Sequence, residues 1–321
     1  MDLQKRVLRT CAMVIIGALA LRFLGGPALQ LLQKPQMTSL LLYLETGRYI
    51  RTEAPEHQQN AQQSASIPTQ YAGAVAVFSQ SDKQNVQIRN NAGYSVDVAA
   101  MLQEPLSWDL TGDEPTVLIL HTHATEGYQN TGNSSYRTQD NRYNMLSIGA
   151  KITELLEAGG IHVIHDTTLH DHPSYNDAYY NARQTIEKQL DQHPSIKLIL
   201  DLHRDALTNS SGQQIGQTVD TPSGTAAKVM VVVGTDAGGL NHPNWAKNLS
   251  LAVKLHAQLE KCQPGICRPL NFRAQRYNQD MFEGAVLIEV GAAGNTHDEA
   301  MVSCQYIAQA ILALAYCSRA A

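Results

Sequence analysis

TVLILHTHATEGY, residues 116–128, sets an unbroken run of large apolar residues directly against a polar turn carrying two histidines and a glutamate. A short apolar run without polar alternation fits a strand buried on both faces, which is the environment of a parallel sheet covered by helices. Outward from this stretch the same alternation continues. A helical period over NMLSIGAKITELLEAGG (144–160) precedes IHVI (161–164), and NDAYYNARQTIEKQL (176–190) precedes KLILDLH (197–203). KVMVVVG (228–234), NWAKNLSLAVKLHAQLEKC (244–262), AVLIEVG (285–291) and a helix from about His297 to Cys317 complete the series. Short Val/Ile/Leu strands alternating with helices predict an α/β fold, a mostly parallel sheet flanked by helices, with its core over 115–318. Gly159-Gly160 suits a helix C-terminus, and Asn295/Thr296 suits an N-cap. Residues 72–110 carry weaker signals, a short strand and a helix leading into the domain, which as a whole is expected over 72–321.

The N-terminus reads differently. Lys5, Arg6 and Arg9 precede the apolar run CAMVIIGALAL (11–21), and Arg22 interrupts before FLGGPALQLL. A membrane span needs about 20 apolar residues, so this run also suits the h-region of a cleaved signal peptide, but no small-x-small site follows it closely and a snorkelling Arg22 permits an uncleaved anchor over 10–32. The basic flank makes 1–9 a cytoplasmic tip and places the remainder outside. Residues 33–71 include the Gln/Ser/Pro-rich RTEAPEHQQNAQQSASIPTQ, which lacks the apolar surface needed to order itself and reads as a linker or stalk. The expected order is therefore tip, signal anchor, linker and extracytoplasmic domain.

Composition removes other classes. With 321 residues, 43% hydrophobic and 17% charged, the chain can bury a large core. Twenty-four Lys+Arg against 29 Asp+Glu give a net charge of −5, which argues against a nucleic-acid partner. Five cysteines without a Cys-x-x-Cys make neither a disulfide scaffold nor a thiolate metal site, although Cys262 and Cys267 are close enough in sequence for a small-loop disulfide. Twelve histidines are many, and their positions carry the chemistry.

In sheets of this type ligands bind beyond the carboxyl ends of the strands. Three predicted strands end in residues that their apolar bodies do not call for: His121-Thr122-His123-Ala124-Thr125-Glu126, His203-Arg204-Asp205, and Glu289. His123-x-x-Glu126 places an imidazole and a carboxylate on one side of a turn, and His203 adds a third donor, leaving a fourth position open as a catalytic zinc site requires. His121 is an alternative ligand or a neighbour behind the ligands. Zinc acidifies water, and Glu289 is positioned to act as general base and pass the proton to a leaving amine. The chemistry implied is amide hydrolysis. NFRAQRYNQDMFEG (271–284) concentrates Arg273, Arg276, Tyr277, Asn278 and Gln279, a polar, aromatic rim suited to a sugar–peptide substrate with carboxylates and amides, and Arg276, Tyr277, Asn278 and Gln279 with Arg204 are expected to bind it. Tyr128, Ser134, Ser135, Tyr136 and Arg137 form a second candidate wall, and the Gly/Ser/Thr/Gln-rich loop 204–227 a candidate lid. His170, His172 and His297 read as capping or solvated residues.

HTHATEGY (121–128), DLHRDA (201–206) and FRAQRYNQDM with AVLIEVGAAGNTHDEA (272–300) resemble the stage II sporulation protein P family. The likeness extends over about 116–315 and to the anchor and stalk. It implies a fold like those of the zinc amidases and exopeptidases, and a zinc-dependent peptidoglycan hydrolase acting in forespore engulfment. It also implies cleavage of the N-acetylmuramoyl-L-alanine amide, with endopeptidase action on cross-links. The implied partners are peptidoglycan and the stage II sporulation proteins D and M. The implied location is a single-pass protein of the septal or engulfing membrane. The family's motif residues fall on His121/His123, Glu126, His203 and Glu289, whereas Gly127 and the Cys262–Cys267 stretch depart from its pattern. Two other readings are an exported zinc peptidase acting on non-wall peptides and a non-catalytic wall-binding or scaffold module.

Overall fold

The computed structural model describes residues 78–106, 108–129 and 135–317. The tip, anchor and stalk expected over 1–9, 10–32 and 33–71 lie outside the described residues, as do 72–77 and Ser134. Among the described residues no helix is long and apolar enough to cross a membrane.

A seven-stranded sheet organises the domain in the order β1-β8-β7-β9-β4-β2-β3. Its strands are β1 (Ile88–Asn90), β2 (Val117–Leu120), β3 (Val163–His165), β4 (Leu198–Asp205), β7 (Val229–Val233), β8 (Leu270–Phe272) and β9 (Ala285–Ala292). β5 (Thr218–Thr221) and β6 (Gly224–Ala227) pair separately as an antiparallel hairpin. The helices are α1 (Val98–Gln103), α2 (Met145–Ala158), α3 (Ala178–Gln192), α4 (Trp245–Cys262) and α5 (His297–Cys317). All four residues of β2 are buried, as the unalternating apolar run requires.

The sheet is parallel at every neighbouring pair except β7 with β9. β7 runs opposite to β4 and β9, and the chain that leads into it from β4 contains a loop and a hairpin where the other connections within the sheet carry helices. The lid expected over 204–227 is corrected accordingly. Its second half is the β5–β6 hairpin, fastened to α5 where Ser303 Oγ donates to the Ala227 carbonyl at 2.6 Å, and only its first part borders a cleft. β8 likewise occupies a stretch whose sequence reads as loop.

The helix ends follow the sequence signals. The Asn144 side chain accepts from Leu146 N at 3.0 Å at the start of α2, and Gly160 leaves its end with φ +83°. At α5, Thr296 Oγ1 accepts from Glu299 N at 3.1 Å while Glu299 Oε2 accepts from Thr296 N at 3.0 Å, a reciprocal capping box.

The main core lies between one face of the sheet and α2, α4 and α5. On the other face α3 covers β2 and β4 through Ala182 and Ile186 packed with Leu118, Leu120 and Ile199. Beyond α3, Met230, Val232 and Leu287 form a small apolar floor against Tyr277. Gly149, inside α2, is explained by packing: a Cβ there would run into the rings of His121 and His165. Gly149→Ala therefore gains helix propensity but overpacks. A net loss of about 1–3 kcal/mol is expected in chemical denaturation, against a small gain if the rings yield. Cys262, Cys267 and Cys304 are unbonded thiols.

Candidate active site at the strand ends

β2, β4 and β9 are adjacent and parallel, so their carboxyl ends open together. His203 and Glu289 are register partners across β4 and β9, which puts their side chains on one face. The turn after β2 brings His123 and Glu126 over the same place. These four residues line a single cleft of about 520 Å³, with Tyr175, Tyr179, Tyr277, Arg137, Arg204 and Arg273 among its walls and the Met230/Val232/Leu287 patch as its floor.

The local sequence explains how the turn is held. In His-Thr-His-Ala-Thr-Glu the two threonines grip buried carboxylates. Thr122 donates from N and Oγ1 to Asp201 at 2.8 and 2.6 Å, and Thr125 donates from Oγ1 to Asp171 at 2.6 Å. Those carboxylates stand beside the histidines: Asp201 Oδ1 is 3.0 Å from His203 Nε2, off hydrogen-bond alignment, and Asp171 Oδ2 is 3.9 Å from His123 Nδ1. Carboxylates behind imidazoles are the usual outer partners of histidine metal ligands. Asp201 is legible as the one acid in LILDL. Asp171 has no comparable signal.

Electrostatics separate the two acids of the cleft. Burial favours neutral Glu126, but the His203 hydrogen bond and the Arg204 and His203 charges prevail and hold its pKa down at about 2. Glu289 is pushed up to about 8 by burial, opposed by His203 and reinforced by Glu126. Burial works against protonation of His203 too, yet Asp201 and Glu126 hold its pKa well above the ordinary range. His123 is lowered, chiefly by burial. Two carboxyl groups driven apart in this way suit different roles.

Which residues could hold an ion is a question of donors and spacing. The histidine nitrogens that face the outer acids, His123 Nδ1 and His203 Nε2, and the Glu289 Oε2 atom are buried without a hydrogen-bond partner. His203 Nδ1 lies 3.5 Å from Glu126 Oε2, and two ligands about 2.1 Å from a tetrahedral ion sit about 3.4 Å apart. The His123 and His203 ring centres are 5.5 Å apart, close to the roughly 5 Å of two imidazoles sharing one such ion. Among the described residues no three His, Cys, Asp or Glu side chains stand at chelating distance as they are, so the third corner is not closed. The donor set, two imidazoles and a carboxylate with outer acids in place, fits zinc. Asp201→Asn is expected to weaken zinc binding about 10–100-fold in a competition titration, and an unchanged affinity would remove Asp201 from this role.

His121 points elsewhere. It is fully buried, with Nδ1 3.2 Å from the Leu202 carbonyl and Nε2 2.9 Å from His165 Nε2, so of the two histidines His123 is the one in the cleft. Arg204 lines the cleft, but it is occupied in shaping it: its backbone N donates to Glu126 Oε2 at 3.1 Å and its guanidinium to the Gly127 and Tyr136 carbonyls. Tyr277 also lines the cleft. Arg276, Asn278 and Gln279, expected beside it, do not line the cleft. Arg276 pairs with Asp280, Asn278 donates to the Tyr179 carbonyl, and Gln279 bridges Gly234 N and the Val232 carbonyl. Asn278 and Gln279 satisfy backbone groups of α3 and of the end of β7, as buried backbone polar groups require, and Arg276 is held by an acid of its own loop.

Ser135, Tyr136 and Arg137 line the opposite wall, whereas Tyr128 is a core residue whose hydroxyl donates to the Val290 carbonyl. His170 bonds the His121 carbonyl and Thr185, and His297 bonds Ser147, all away from the cleft. Tyr175 and Tyr179, absent from the sequence-derived set, pack on His123. Tyr175 stacks at 4.4 Å and Tyr179 meets the ring edge-on at 5.6 Å.

Fold and site together define an α/β protein with a histidine–carboxylate centre at the ends of its central strands. The family model for stage II sporulation protein P matches residues 30–312, most of the chain, and the chain belongs to that family. It is 26% identical over 203 residues to the stage II sporulation protein P of Bacillus subtilis (strain 168), an alignment covering 59% of this chain and 48% of the relative. The chain thus spans about half the length of the curated relative it matches. Among solved structures it is similar to the CwlD amidase of Clostridioides difficile in complex with the GerS lipoprotein. That match has 16% identity, 64% of this chain, 97% of the other and a TM-score of 0.41. It is also similar to the catalytic domain of CwlV, an N-acetylmuramoyl-L-alanine amidase from Bacillus (Paenibacillus) polymyxa var. colistinus, with 14% identity, 61% and 96% coverage and a TM-score of 0.38.

Proposed function

We propose that this protein is a zinc-dependent peptidoglycan hydrolase that cleaves the amide between N-acetylmuramic acid and L-alanine and also cuts peptide cross-links. The observation that carries this reading is the meeting of His123, Glu126, His203 and a partnerless Glu289 in one cleft. Membership of the family supplies the wall substrate and the setting. In that setting residues 10–32 anchor the chain in the septal or engulfing membrane with the domain outside. Stage II sporulation proteins D and M are its partners in forespore engulfment.

His123, Glu126 and His203 would hold the ion. Bound there, zinc supplies Lewis acidity toward a scissile carbonyl and toward water. Asp201 and Asp171 stand behind the two imidazoles, Arg204 helps to keep Glu126 ionised, and Arg137 pairs with it. Glu289 Oε2, with no internal partner, is the atom that takes a proton from the attacking water and returns it to the amine nitrogen as the C–N bond breaks. Tyr175, Tyr179 and Tyr277 form an aromatic wall beside that transfer.

The test is digestion of purified peptidoglycan with and without chelator, followed by separation of the soluble products. Stem peptides released in the presence of zinc and not after chelation are expected. No release under any metal condition would defeat the reading.

A further inference from the structure

Resting on the hydrolase reading, one cation in the cleft stands apart from the others. Arg137 is bound to Asp171 at 2.7 Å and Glu126 at 3.4 Å. Arg204 is spent on Glu126 and two carbonyls. Asp205, at the end of β4, is neutralised by Arg268 at 2.7 Å. Arg273 lines the same cleft, yet among the described residues no carboxylate pairs with it. The contact it makes through its side chain is Nε to Gln275 Oε1 at 3.2 Å.

The position of Arg273 is fixed by the sheet. Its backbone N donates to the Val233 carbonyl at 2.8 Å and its own carbonyl accepts from Thr235 Oγ1 at 3.0 Å, so the residue leaves β8 in a set direction. Arg273 and Tyr277 line the same cleft as His123, Glu126, His203 and Glu289, which places Arg273 on a wall of the reacting centre. A guanidinium placed in a groove without an internal acid is a preformed receptor for a substrate carboxylate, because its planar fork matches that group bidentately.

We infer that Arg273 is a specificity-determining residue that binds a free carboxylate on the peptide part of the substrate, so that the cleft selects acidic wall peptides over their amidated counterparts. Arg273 touches no proposed ligand and carries no proton in the reaction. Its loss should raise KM for the acidic substrate with little change in kcat or in bound zinc.

The experiment uses soluble N-acetylmuramoyl peptides in which each carboxylate in turn is replaced by the carboxamide, assayed with the wild-type protein, Arg273→Gln and Arg273→Lys. For one carboxylate, wild-type kcat/KM should fall about 10–100-fold on amidation, the range of one charge-assisted hydrogen-bond pair. In Arg273→Gln that preference should vanish through a raised KM, with zinc content unchanged, and Arg273→Lys should restore part of it. Equal hydrolysis of all forms by the wild type would overturn the assignment, as would a preference that survives in Arg273→Gln. If no peptide is turned over, the hydrolase reading fails on its own. The same peptides are then titrated calorimetrically into wild type and Arg273→Gln, where an Arg273-dependent carboxylate preference in Kd upholds the site and its absence overturns it.

Discussion

Alanine at position 203 is expected to abolish both zinc retention and turnover. His203 is the hub of the site: its ring lies 3.5 Å from Glu126 Oε2 on one side and 3.0 Å from Asp201 Oδ1 on the other. Removing it deletes a proposed ligand and takes the imidazole from between two buried carboxylates, Glu126 and Asp201. Loss of an outer partner alone costs about 10–100-fold in metal affinity, and loss of the ligand itself should exceed that. The metal-free protein should also lose about 3–5 kcal/mol, the cost of breaking a buried ion pair by removing one partner. Metal analysis after dialysis, paired with denaturant unfolding, reads both effects. Full zinc occupancy in His203→Ala would contradict its role as a ligand.

Glu289→Gln should separate binding from chemistry. Glutamine keeps the shape of the side chain but cannot take a proton, so zinc stays and turnover falls about 10²–10⁴-fold, the range for a lost general base. A second consequence follows from the raised pKa of about 8 in the metal-free protein. Because the fold favours the protonated acid, the stabilisation is complete below the ordinary glutamate range and is lost as pH rises through about 8. Wild-type protein in chelator should therefore lose stability relative to Glu289→Gln as pH rises from the ordinary glutamate range to about 8, with no further loss above that and the two alike at low pH. Parallel stability profiles would show that burial does not hold the proton on Glu289, and unchanged turnover would remove it from catalysis.

Much of the fold was legible because its strands are buried on both faces and its helices carry clear caps. VLIL and LILDL admit no alternation, and Thr296-x-x-Glu299 marks its helix start. The reversal of β7 was not legible, since an apolar strand reads the same in either direction and only its neighbours define its sense. The β5–β6 hairpin was hidden by a polar, exposed sequence whose burial is confined to Ala226 and Ala227. In the site, His123, Glu126, His203 and Glu289 stood out because polar residues at the ends of apolar strands have few structural reasons to be there. The choice between His121 and His123 depends on which side of the turn faces β3, where His165 receives His121. Gln279 misled because an amide that satisfies two backbone groups looks, in sequence, like one available to a substrate.

The central claim is a single ion shared by the turn after β2 and the end of β4. A crystal of the zinc-loaded protein, with anomalous differences collected at the zinc edge, tests it most directly. One peak within about 2.0–2.2 Å of His123, Glu126 and His203 together is the expected result. A peak between His121 and His165, or none in the cleft at saturating zinc, would contradict it.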